Sequence, residues 1–259
     1  MKLLLHACCG PCSLEPTRLL KAAGHDITIY YANSNIHPAE EYEHRLATLR
    51  AWAADAGFEV LEGPYDPATW EACAGRIGDA AIAEIEQTRA GDGAAVLSVD
   101  PARREARCRA CYRLRLEETA RVAAERGFEG IGTTLSVSPY QYTQVIREEV
   151  ERAAAQAGVA PVFEDFRPYY DEATRESREL GMYRQNFCGC RISDLEAAAE
   201  RAERKEHRAA AKAAERAAHA DERAAEEAAR AAHKAERAAY DKKQARKRAI
   251  LKALREQGK

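Results

Sequence analysis

A chain of 259 residues, 46% apolar and 32% charged, is long enough for one large core or two small ones. No stretch approaches the roughly 20 apolar residues of a membrane span, and the opening apolar run soon meets His6 and cysteines, which argues against a secretory leader. The formal charge of −2 hides a division: residues 1–196 carry 22 Lys+Arg against 31 Asp+Glu, and residues 197–259 carry 18 against 11, so an acidic body that is no general polyanion binder precedes a basic tail.

In chain order, residues 2–5 read as a buried strand that runs into a cysteine-rich turn. A helix is expected from Ser13, a candidate N-cap, with Pro16 tolerated in its first turn and a stop at Gly24. Residues 26–31 form a second strand, residues 38–56 a helix ending at Gly57, and residues 59–61 a third strand. Residues 66 to about 90 pattern as helix with a break near 75–79, before Gly91 and Gly93 open a loop. A helix over 111–126 stops at Gly127; residues 130–135 make a fourth strand, 139–157 a helix, 161–163 a fifth strand and 171–180 a short helix. This alternation predicts an α/β fold, a largely parallel sheet with helices on both faces. Sites in such sheets lie at the carboxyl ends of the strands, above all where strand order reverses, and the cysteine turn after the first strand lies on that edge.

The tail differs in kind. Ser193 and Glu196 read as a capping box that starts a helix. From Glu196 through Ala239 there is no Val, Ile, Leu, Met, Phe, Trp, Tyr or Cys. The expected organisation is a domain over residues 1–195 and an Ala/Glu/Arg/Lys-rich, helical or disordered extension over 196–259, with no apolar stripe to dock it. Pairs such as Glu200–Arg204 and Glu226–Arg230 support a solvated helix. Lys242, Lys243, Arg246, Lys247 and Arg248 are basic enough to touch RNA, although a solubilising extension explains them as well.

Seven of the eight cysteines fall into three groups: Cys8-Cys9-Gly10-Pro11-Cys12, Cys108-Arg109-Ala110-Cys111 and Cys188-Gly189-Cys190. Short spacings let one turn of backbone present two or three sulfurs to a single centre. In the cytoplasm, where this chain is expected, such cysteines bind metal or do redox chemistry rather than staple a fold. Each group is expected at a helix start, whose positive end favours thiolate and accommodates a negatively charged centre. A four-ligand zinc would leave three of the seven unused; the surplus favours a four-Cys iron–sulfur cluster plus a second iron or a reducible dithiol. Cys73, alone in a helical stretch, reads as a small buried hydrophobe.

Other residues have two readings. His6 serves either the backbone or the site, and His37 either a helix entry or the same sheet edge. Arg103, Arg104, Arg107, Arg109, Arg113 and Arg115 stand against one acid, Glu105, and form either a phosphate-neutralising island or a solvated helix face. The hydroxyls of Thr133, Thr134, Ser136, Ser138 and Tyr140 follow a strand, where turn capping and substrate contact both use them.

Taken together, residues 6–12, the Cys108/Cys111 pair, Thr133-Thr134-Leu135 with Ser138-Pro139-Tyr140, and residues 180–190 (Leu-Gly-Met-Tyr-Arg-Gln-Asn-Phe-Cys-Gly-Cys) resemble the cobalamin-independent epoxyqueuosine reductase family, QueH, over residues 1–195. The resemblance implies a Rossmann-like fold of the adenine-nucleotide hydrolase type, with the cysteine turn in the place of a phosphate loop. It implies the last step of queuosine synthesis, reduction of the epoxide of epoxyqueuosine at the wobble position of tRNA. By the same resemblance Cys8, Cys9, Cys108 and Cys111 hold a 4Fe–4S cluster, while Cys188 and Cys190 form a redox pair or, with Cys12, ligate an additional iron. Its partners are the tRNA anticodon loop and an electron donor, with no membrane. On that reading Tyr140 and Tyr183 are candidate proton donors, Arg109, Arg113 and Arg184 candidate contacts for anticodon phosphates, and Thr133 and Thr134 substrate contacts. The competing readings are an iron–sulfur tRNA thiolation enzyme of similar fold, which should carry a Gly-rich phosphate loop after the first strand, and a zinc-stabilised RNA-binding module.

Overall fold

The computed structural model describes residues 1–79 and 101–257, so the expected loop at Gly91 and Gly93, and the helix end near residue 90, lie outside the described residues. The chain divides into two compact units, Met1–Glu200 and Arg201–Lys259.

The first unit is built on five parallel strands: β1 (Lys2–His6), β2 (Asp26–Tyr31), β3 (Glu59–Glu62), β4 (Gly130–Thr133) and β5 (Ala160–Pro161), in the order β3-β2-β1-β4-β5. Leu3, Leu4 and Leu5 of the central strand are wholly buried, as a strand covered on both faces requires. The two-residue period of the strand divides them. Leu3 and Leu5 join Ile27, Ile29, Tyr31, Leu46 and Leu49 on one face, and Leu4 joins Leu116, Ile131, Ile146 and Val150 on the other. Each such side chain contributes about 1.5–3 kcal/mol by leaving water.

The covering helices are α1 (Leu14–Ala22), α2 (Ala39–Ala56), α3 (Pro67–Trp70), α4 (Pro101–Arg126), α5 (Thr143–Ala157) and α6 (Tyr170–Glu179). Gly57, left-handed at φ 74°, ends α2 as expected. The break near Gly75 is a π-helical turn over Glu71–Gly75.

Chain direction out of β1 leads to β2 on one side, while β4 pairs on the other, so strand order reverses between β1 and β4. The carboxyl ends of those two strands carry Cys8 and Thr133-Thr134, which puts the cysteine turn at the switch point.

Three expectations about helix starts need correction. α4 begins at Pro101, ten residues before the expected start, because Ala, Arg and Glu continue the helix back from Cys108. Cys108 and Cys111 are therefore interior to a helix and share a face at i, i+3 spacing, and no helix start favours their thiolates. Ser13 does occupy the N-cap position of α1, as expected, but its side chain makes no capping bond; its hydroxyl donates to Cys9 O at 2.8 Å. The Ser193–Glu196 capping box is also absent. α7 (Arg191–Ala218) starts before Ser193, whose hydroxyl donates to Cys190 O at 2.8 Å, while Glu196 is taken by Arg107.

α7 belongs to the first unit through Glu200, with Ile192 wholly buried and Glu196 nearly so. The second unit holds the rest of α7 and α8 (Ala220–Gln257), and nearly all its described side chains are exposed.

Candidate metal centre

Beyond β1 the chain tightens into a 3-10 turn over Pro11–Ser13, which folds Cys12 back toward Cys8 and Cys9. The three Sγ atoms all lie within 4.8 Å of one another, with Cys8 and Cys9 at 3.8 Å. Cys12, and then Cys8, hydrogen-bond to Cys9 and hold its thiol well below the usual range; Gln185 Nε2, 3.0 Å from the same sulfur, adds to this. Donation to Cys8 and Cys9, with burial, lifts Cys12 well above its ordinary value. Of the three thiols, the triad thus favours ionisation at Cys9.

The second pair comes from α4. Burial pushes Cys108 up to about 12 against the pull of Arg107, and pushes Cys111 up to about 11 against the pull of Arg115. Both feel the charge of Cys188 and Cys190, so these two cysteine groups share one region.

The Cys188-Gly189-Cys190 hairpin is fastened to the first unit at several points. Arg45, on α2 and 1% exposed, donates from Nη1 to Cys188 O at 2.8 Å, and its guanidinium lies 5.1 Å from the Phe187 ring centroid. His37 N donates to Gly189 O at 2.8 Å. Gly189 has φ 133°, and a Cβ there would lie 3.0 Å from Arg45 Nη1 and 3.3 Å from Asn35 Nδ2. At the other end of the segment, Met182 Cε would lie 2.7 Å from a Cβ on Gly10, so the glycine in the first cysteine group lets the third segment close over it. Cys190 and Cys111 pack with Trp70, Ala74 and Ile192, and Cys73 lies against the same cluster. All three distant cysteine groups therefore converge at the β1/β4 edge.

Several residues of the site, Arg45, Asn33, Asn35 and Gln141 among them, were not singled out from the sequence, and Arg107 and Arg115 were read only as part of a phosphate-neutralising island or a solvated face. Three buried arginines surround the thiols. Arg107 makes a two-pronged pair with Glu196 (2.6 and 2.9 Å), Arg45 pairs with Glu41 at 2.7 Å, and Arg115 donates to Asn33 Oδ1. Asn33 in turn donates to Ala7 O at 2.9 Å, and Asn35, 2% exposed, has both amide atoms unpartnered. Gln141 Oε1 accepts from Tyr112 at 2.6 Å and lies 3.9 Å from Cys188 Sγ. One signal pointed to the asparagines, their position just after β2 on the site's edge; another pointed to Arg115, four residues after Cys111. Arg45, in a helix otherwise rich in surface acids, gave none.

The other expected residues fall in varied places. His6 is wholly buried, its Nδ1 2.9 Å from Thr133 Oγ1, and burial and then Arg115 lower its pKa to about 3, so it is neutral. Thr133 and Thr134 are buried; Thr134 Oγ1 accepts from Cys8 N at 3.4 Å, so both hydroxyls hold the cysteine turn. Most of the arginine island is paired with carboxylates of the first unit. Arg109 pairs with Glu148 at 2.7 Å, Arg113 with Glu149 at 2.9 Å and Arg104 with Glu200 at 3.1 Å. Arg184 instead binds neutral acceptors on Thr174 and Ser177. Tyr183 donates to Glu41, and Tyr140 is 73% exposed.

All eight cysteines are free thiols, and Cys8, Cys9 and Cys12 present their sulfurs close enough to share one ion, an all-sulfur donor set of the kind that iron–sulfur clusters and zinc select, with the other two groups in the same region. Unpartnered Asn35 and Gln185 Oε1, buried beside them, are the polar atoms expected around a site that holds something more. The residues fit a thiolate-ligated metal centre.

A model of the family described as epoxyqueuosine reductase QueH matches residues 3–88 and 93–196, a span that contains all three cysteine groups. The chain belongs to this family. Among similar proteins, "Epoxyqueuosine reductase QueH" of Dehalococcoides mccartyi is 32% identical over 197 residues, covering 75% of this chain and 93% of the relative. The protein of the same name from Thermotoga maritima is 32% identical over 202 residues, covering 77% and 94%. That of Staphylococcus aureus is 29% identical over 197 residues, covering 73% and 74%. The family match ends at residue 196, within α7, and leaves the second unit outside it.

Proposed function

We propose that this chain is an epoxyqueuosine reductase that acts on tRNA carrying the modified base at the wobble position and converts the epoxide to the alkene of queuosine. The observation that carries the reading is the convergence of three cysteine groups at the switch point of a parallel sheet, in a chain of the QueH family. The reaction takes two electrons and two protons, breaks both carbon–oxygen bonds of the epoxide, and releases the oxygen as water. A 4Fe–4S cluster held by Cys8, Cys9, Cys108 and Cys111, with a Cys188–Cys190 dithiol or an additional iron on Cys12, Cys188 and Cys190, would supply those electrons from an external donor.

The chain's own residues do the rest. Burial keeps the thiols of α4 protonated until metal binds, and the Cys12–Cys9–Cys8 bonds keep one thiolate ready to start assembly. Thr133 and Thr134 serve the substrate indirectly, through the cysteine turn they fix. Arg184, with no carboxylate partner among the described residues, keeps its charge for an anticodon phosphate. Arg109 and Arg113 reach phosphate only by exchanging Glu148 and Glu149. Tyr140, exposed at the same edge, and Tyr183 are the side-chain proton sources on this reading. A flipped-out base is the form in which a single-stranded loop would present the epoxide.

A second reading has one support. The 3.8 Å between Cys8 and Cys9 sulfurs is about the separation of two thiolates on one tetrahedral ion with metal–sulfur bonds of about 2.3 Å, which suits a single metal on the triad. Metal analysis of anaerobically purified protein separates the two, since the cluster requires iron and acid-labile sulfide and the single-ion reading requires neither sulfide nor colour. The activity itself is tested by incubating the iron-loaded protein with epoxyqueuosine-tRNA and a reductant, then digesting the tRNA to nucleosides. Queuosine is the expected product; none, with the iron intact, defeats the proposal.

A further inference from the structure

We propose that Arg115 is a positioning residue, the resident counter-charge of the thiolate centre, and that its fixed cation raises the potential at which that centre accepts electrons; this rests on the centre being redox-active iron.

Three guanidiniums are buried around the thiols, but they are not equivalent. Arg45 and Arg107 each bring a carboxylate, Glu41 and Glu196, so each enters the interior as a neutral pair. Arg115, 3% exposed, has no carboxylate partner among the described residues; its Nη2 donates to the neutral amide of Asn33, and its Nε has no partner. An unpaired cation in a protein interior is costly unless negative charge is close. The thiols that act on Arg115, and that become anionic as metal ligands, are Cys111, Cys8 and Cys188, one from each of the three cysteine groups. Its position follows from the helix, since residue 115 stands one turn after Cys111 on the same face of α4. Its orientation follows from Asn33, which holds Arg115 with its oxygen and Ala7 O, at the root of the cysteine turn, with its nitrogen at 2.9 Å.

A fixed positive charge stabilises whichever oxidation state carries more negative charge, and that is the reduced one. Removal of the charge therefore moves the midpoint potential to lower values and slows electron uptake, without altering how tRNA binds. A merely structural arginine would affect stability and leave the potential unchanged.

The test uses the full-length, iron-loaded protein and a redox titration followed by electron paramagnetic resonance. Arg115→Gln is expected to retain iron, shift the midpoint to lower potential, and lower kcat with KM for epoxyqueuosine-tRNA unchanged; Arg115→Lys restores most of the potential. Asn33→Asp keeps Arg115 but gives it a carboxylate, and it is expected to shift the midpoint in the same downward direction. It decides the matter if Arg115→Gln fails to hold iron. A wild-type midpoint in Asn33→Asp, or in iron-replete Arg115→Gln, overturns the proposal, as does a protein that holds only zinc. A downward shift in a protein that makes no queuosine would uphold the role of Arg115 while defeating the proposed substrate.

Discussion

Arginine and glutamate are common in both units of this chain, yet they live differently in each. In the first unit Arg107 and Glu196 meet with side chains 3% and 2% exposed, whereas in the second Arg230 and Glu226 lie 4.0 Å apart with side chains 84% and 71% exposed. The difference is made by their neighbours. α7 carries Ile192 into the core and draws Glu196 after it, whereas past Glu200 the helix has no large apolar residue until Tyr240. A charged residue becomes part of a site where apolar neighbours bury it beside a partner, and remains a solvated surface elsewhere.

The sharpest break of this contrast is Cys9→Ser. Removal of the thiol at which the triad favours ionisation should cost more than about a hundredfold in metal retention and reductase activity, read by iron analysis and nucleoside assay. Glu196→Gln comes next. It leaves Arg107 buried without its counter-charge and should lower unfolding stability by about 3–5 kcal/mol, measured by urea titration; a loss under about 1 kcal/mol would mean that the pair is as weak as a surface one. Gly189→Ala forces a side chain onto a backbone at φ 133° and against Arg45, with an expected cost of about 1–3 kcal/mol and reduced iron content; unchanged stability and iron would show the hairpin to be adaptable. Smallest of all, deletion of residues 201–259, or Glu226→Gln alone, should leave iron stoichiometry and the thermal midpoint unaltered. Loss of iron on truncation would show that the second unit takes part in the centre.

Much of this was legible in the chain. The period-2 and period-3.6 patterns marked all five strands to within a few residues, because burial on both sides of a parallel sheet leaves unbroken apolar runs such as Leu3-Leu4-Leu5. The cysteine spacings marked the thiol groups, and the strand that precedes Cys8 marked the edge on which they would gather. Helix starts were less legible. Ala, Arg and Glu favour helix wherever they stand, and Pro101, a residue suited to the first helical position, was the one local sign that α4 begins there rather than at Cys111. Ser193 and Glu196 had the spacing of a cap, but a buried guanidinium on another helix is a stronger partner for a carboxylate than a backbone amide.

By itself, then, the sequence determined the strand–helix order, the three sulfur groups and the separate character of the tail, since each of these is written in neighbouring residues. Only the tertiary structure decided which charges face the thiols. Arg107 and Arg115 stood out only as members of an arginine-rich stretch beside Cys108 and Cys111, and Arg45 not at all; their role arises from contacts with residues 33, 41, 188 and 196, which lie 4 to 143 positions away along the chain. Burial is a property of the assembled core, and the energy of a charge depends on burial more than on sequence.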